Sequence, residues 1–69
     1  MSNTTTITRS EAEAIVADYE QKAANFRVFA DALAASVGQA AADDIWEARV
    51  EASICMARAH HARRFYGLG

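Results

Sequence analysis

Apolar residues recur along this chain at alternating intervals of four and three. The first series runs Ala12, Val16, Tyr19, Ala23, Phe26, Ala30, Leu33 and Val37, and Ile15 and Phe29 widen it. The second runs Ala41, Ile45, Ala48, Ala52, Cys55, Ala59, Ala62 and Tyr66. No charged residue interrupts either series. Such spacing keeps one face of an α-helix apolar. It predicts an all-α chain with one helix over about 9–37, a hinge over about 38–43 and a second helix over about 44–66. Residues 1–7 are expected to form a flexible N-terminal segment ahead of this 8–69 hairpin.

The helix ends carry their own signals. Thr8 with Glu11, and Ser10 with Glu13, are overlapping capping boxes, in which the hydroxyl accepts from the amide three residues on and the glutamate reaches back. Gly38 is a suitable left-handed stop for the first helix. The second helix has a less defined start, with Asp43 or Asp44 as candidate caps and Asp44 with Glu47 at box-like spacing. Gly67 suits its end, with Leu68 folding back on the last turn. A first helix of this span would be roughly 43 Å long. The short connection predicts an antiparallel two-helix hairpin. Because the second seam is mostly alanine, the helices can approach closely, with Tyr19, Phe26 and Leu33 lying over small residues of the facing helix.

Another apolar stripe runs along the second helix: Trp46, Val50, Ile54, Ala57, His61 and Phe65. Two residues along a helix is about 200° around it, so this stripe lies roughly opposite the alanine seam. One hairpin cannot cover both sides of its second helix. A homodimer forming a four-helix assembly can. In that reading Tyr19, Phe26, Phe29, Leu33, Ile45, Ile54 and Phe65 supply core or dimer packing. A part of the stripe left open would instead be a docking patch. Trp46, with Arg49 beside it, is the candidate anchor, because tryptophan and arginine often dominate interfaces.

Composition narrows the classes. The chain has 69 residues, no proline, three glycines and 52% hydrophobic residues, which suits one small helical domain rather than a β-sandwich or barrel. Domains of this size are commonly completed by disulfides, metal or oligomerisation. A single cysteine, Cys55, allows no internal disulfide and suits a reducing cytoplasm. The stretch "MSNTTTIT" has neither the basic start nor the apolar core of a signal peptide, and no apolar run is long enough to span a membrane. The net charge of −2 gives no global attraction to nucleic acid.

Chemistry finds little purchase. His60 and His61 point about 100° apart, and neither has a ligand-type residue one helical turn away, so no metal or other cofactor is expected. Ser53 has no histidine or lysine at helical contact spacing, and Cys55 lies on the packed seam. No glycine-rich phosphate loop exists. The chain therefore does not read as an enzyme. Arg58, Arg63 and Arg64 could form a nucleic-acid hook, since no acid follows Glu51. They also complement the dipole of a helix C-terminus, and a hairpin would bring them near Glu11, Glu13 and Asp18.

The threonine-rich start "NTTTITRSEAEAIVADYE", the single tryptophan segment "AADDIWEARVEASI", the length and the two-helix layout together resemble the small anti-quorum-sensing proteins of pseudomonad phages. The likeness extends over nearly the whole chain. The resemblance implies a helical homodimer made in the cytoplasm of the infected bacterium. It would bind a LuxR-type transcription regulator and stop it activating its DNA targets. A type IV pilus assembly ATPase is implied as a second target, which would exclude superinfecting phage. Trp46 carries over as the contact residue, and Gln39, Asp43, Arg49 and Val50 follow by adjacency. The alternatives are a small dimeric nucleic-acid-binding protein using the Arg58–Arg64 end, and a structural or assembly helix pair.

Overall fold

A computed structural model describes residues 7–68. Helix α1 spans Arg9–Ser36, a 3₁₀ turn spans Gly38–Ala41, and helix α2 spans Ala42–Phe65. The two helices pack antiparallel: Val16 clusters with Ala59 and Ala62, and Ala23 with Ala52 and Cys55. The resulting rod measures 52 × 18 × 16 Å. No helix among the described residues is long and apolar enough to cross a membrane. The expected N-terminal segment falls, except for Ile7, outside the described residues.

Each boundary has a local cause. Thr8 caps α1: its Oγ1 accepts from the Glu11 amide at 3.0 Å, and its own amide donates to Glu11 Oε1 at 2.7 Å. Of the two overlapping boxes only this one forms, because Ser10 already lies inside the helix. At the far end the Ser36 hydroxyl donates to the Ala32 carbonyl at 2.7 Å, and Gly38 takes φ +74° to reverse the chain. Helix α2 closes in a Schellman motif: the Leu68 amide donates to the Arg63 carbonyl at 2.8 Å and the Gly67 amide to Arg64 at 3.2 Å, with Gly67 at φ +69°. Leu68 packs back against the Val16 cluster, as the sequence pattern predicts.

The hinge differs from expectation. Neither Asp43 nor Asp44 caps α2; Ala41 precedes the helix and offers no side-chain cap. The chain is already winding through the 3₁₀ turn from Gly38, so no extended residue remains to present a capping side chain. Both aspartates fall in the first turn of α2, where negative charge suits the helix dipole. The hinge is thus 38–41 rather than 38–43. Val37, expected on the α1 seam, is 51% exposed, because it is the C-cap residue (φ −109°, ψ −36°) that begins the departure from the helix.

The seam itself follows the alternating pattern. Ala12, Val16, Ala23 and Ala30 are buried on α1, Ala41 in the turn, and Ala48, Ala52, Cys55, Ala59 and Ala62 on α2. Tyr19, Phe26, Leu33, Ile45 and Tyr66 are half-buried, and Tyr19 and Phe26 pack against these small residues. Among the described residues no large side chain is fully buried. The core is therefore thin, one layer of methyl groups shielded by larger neighbours. Ala23 has no exposed surface, so Ala23→Leu must force the helices apart. Its expected cost is about 1–3 kcal/mol. Thr8→Ala, which removes the cap, should cost about 1 kcal/mol. Urea unfolding of both variants followed at the helix band checks these values. An Ala23→Leu chain as stable as the parent would rule out a close-packed seam.

Candidate interaction surface

The residues left out of this thin core are the large ones. Trp46 and Phe65 on α2 are 67% and 68% exposed. Ile54, between them, and Val28 and Phe29 on α1 are exposed as well. Sequence periodicity singles out Phe29 as part of the widened seam; instead it lies outside the core, as do Ile54 and Phe65. Val28 is not marked by the periodicity at all.

These side chains are not scattered. One open groove of about 590 Å³ is lined by Ile15 and Tyr19 of α1 and by Ile54, Arg58, His61 and Phe65 of α2. A second groove, toward the hinge, is lined by Phe26 and Phe29 of α1 and by Trp46, Glu47, Val50 and Glu51 of α2. Both combine the same flanks of the two helices, so they form one long apolar face. Near its open end the rings of His61 and Phe65 stack at 6.3 Å, and Phe65 meets Tyr66 edge-on at 5.0 Å.

The other side of the hairpin is polar. Arg63 donates to Glu20 Oε2 at 2.9 Å, and Arg49 lies 3.5 Å from Asp31 Oδ1. On α2, Arg49 and Arg63 are each two positions from a groove residue, Glu51 and His61, and so lie about 200° around the helix from it. The same offset separates Glu20 from Lys22 and Asp31 from Phe29 on α1. Among the described residues no ion pair joins the basic end to Glu11, Glu13 or Asp18. Glu13 pairs with Arg9 at 3.2 Å and Asp18 with Lys22 at 3.1 Å, each one turn apart, and Glu11 is engaged in the cap. The Lys22 ammonium is held above its ordinary pKa by its hydrogen bond to Asp18 and by that carboxylate's charge.

The proposed partner-binding residues thus fall in two groups. Trp46, Gln39 and Asp43 are exposed and Val50 half-exposed at the hinge end. Arg49 remains solvent-accessible but is oriented toward Asp31. His60 and His61 do not converge with a third ligand, and no cluster of three potential metal ligands occurs among the described residues. Cys55 is buried on the seam. The absence of acid after Glu51 is legible along the chain; which of the cations are engaged is not, and the fold pairs Arg49 and Arg63 with α1 acids.

No protein-family profile, curated protein or solved structure matches this chain.

Since Trp46 is mostly exposed, Trp46→Ala should change the unfolding free energy by no more than about 0.5 kcal/mol, measured in urea. A loss of roughly 2 kcal/mol or more would make Trp46 part of the folding core rather than of a surface.

Proposed function

We propose that this chain is a phage-encoded, protein-binding inhibitor. It acts as a homodimer in the cytoplasm of the infected bacterium and works by occupying a partner's surface, without turnover. The observation that carries this reading is Trp46, the largest side chain in the protein, standing 67% exposed beside the hinge. It lines a groove with Phe26, Phe29 and Val50 rather than standing alone, and tryptophan is among the residues enriched in interface hot spots.

The resemblance to the anti-quorum-sensing proteins of pseudomonad phages supplies the partner. A LuxR-type quorum-sensing regulator is the first target, and the inhibitor keeps it from activating its DNA sites. A type IV pilus assembly ATPase is the second, which would protect the infected cell from superinfection. Around Trp46 the exposed groups are Gln39, Asp43 and Glu47, with Val50 half-buried. They form the polar rim that usually surrounds an apolar anchor. Nucleic-acid binding is less well supported than the sequence suggests: Arg63 of the basic end is engaged by Glu20 at 2.9 Å, which weakens the hook.

The test uses a purified LuxR-type regulator and its labelled promoter DNA. The wild-type chain should abolish the gel shift, and Trp46→Ala, still helical and still dimeric by sedimentation, should lose this effect by at least about tenfold in concentration. Equal inhibition by the two proteins would remove Trp46 from the contact. No inhibition by wild-type protein at micromolar concentration would remove the regulator as the target.

A further inference from the structure

Once the cross-helix ion pairs are set aside, the charge on α2 divides by position. Asp43, Asp44, Glu47 and Glu51 occupy its first half, and Arg58 and Arg64 its second. None of these six has an ion-pair partner among the described residues. The helix dipole accounts for the ends: Asp43 and Asp44 are in the first turn and Arg64 is in the last. It does not account for Glu51 and Arg58, which lie mid-helix, where the dipole's influence has faded. Both line the apolar face, Glu51 in the groove toward the hinge and Arg58 in the groove toward the open end. Ile54 sits between them, 38% exposed.

A face that is acidic at one end, basic at the other and apolar at its centre is complementary to itself when turned end for end. We propose that a second copy of this chain lies antiparallel across this face, with the two-fold axis at Ile54 and the charge reversal along α2 fixing the register. The two-fold sets Glu47 opposite the partner's His61 and Glu51 beside the partner's Arg58, all four of which line the two grooves. Each pair occurs twice, as an isologous interface requires. Lys22 is the cation nearest the axis on α1, and Asp18 at 3.1 Å neutralises it. Ile15, Tyr19 and Phe65 become covered, which gives the thin alanine core the second apolar layer it lacks. A parallel arrangement would place acid on acid and base on base.

Trp46 lies on the outer edge of α2, eight residues from the axis, or roughly 12 Å at 1.5 Å per residue. The dimer therefore carries two tryptophans roughly 24 Å apart along α2, each at the rim of the covered face, where the hinge-side groove meets solvent.

This inference rests on the dimer in the reading above but not on any host partner. It is tested on the purified full chain alone, so its failure is distinct from failure to bind a regulator. Sedimentation equilibrium is run on wild type, Glu51→Arg, Arg58→Glu and the double variant, each confirmed helical by circular dichroism. Each single reversal should weaken dimerisation by roughly tenfold or more, and the double variant should return to within about threefold of wild type. A double variant no tighter than the singles, singles as tight as wild type, or a monomeric wild type would overturn the proposal. A second measurement reads the axis directly. Ile54→Cys in a Cys55→Ala background should form a disulfide-linked dimer with oxidised glutathione. Failure to cross-link while remaining dimeric by sedimentation would place the axis elsewhere.

Discussion

The close approach of two helices through small side chains is the constraint from which the rest of the molecule follows. Ala23, Ala30 and Ala59 are essentially without exposed surface, so the seam has no room for larger groups. Tyr19, Phe26 and Leu33 are accommodated by lying over the seam rather than inside it. Phe29, Trp46, Ile54 and Phe65 have no place on it at all. A hairpin built this way packs its methyl groups well and leaves its largest apolar surface outside. That inverts the usual distribution for a single small domain, in which the bulkiest apolar residues are the ones most deeply placed.

Electrostatics then distinguishes the two sides of the rod. Arg49 with Asp31 and Arg63 with Glu20 bridge the helices along one side. These pairs are exposed and individually weak, yet they occupy the cations nearest α1. The charges that remain on α2 sort into an acidic half and a basic half beside the apolar groove. In the proposed assembly this polarity does the orienting and the groove supplies the affinity, a division of labour common at protein interfaces. Trp46 sits at the rim of this face at the hinge end, 67% exposed, which is why a role toward a different partner is proposed for it.

How far the sequence could be read depended on what each feature senses. The spacing of four and three places nearly every buried residue, because burial in a hairpin is decided by angular position around each helix. The Thr8 box and the Gly67 stop are equally legible, since each depends on residues within one turn. The start of α2 is not, because the 3₁₀ turn that displaces Asp43 and Asp44 from the cap arises from how the chain leaves Gly38. Val37 follows the pattern but not the fold, for the same reason. Which α1 acid each basic residue meets is not legible, because it depends on register across the hairpin: Arg63 pairs with Glu20. The surface around Trp46 was visible as a stripe. Its union with Phe26 and Phe29 into one face needed the packed pair of helices.

The central claim is that this hairpin is incomplete alone and that its exposed apolar face is finished by a second copy. If so, folding and association are coupled, and stability must depend on chain concentration. The direct measurement is the thermal unfolding midpoint of the wild-type chain over a hundredfold range of concentration. The account predicts a midpoint that climbs steadily with concentration. A midpoint independent of concentration, with a monomer's mass in sedimentation throughout, would contradict it.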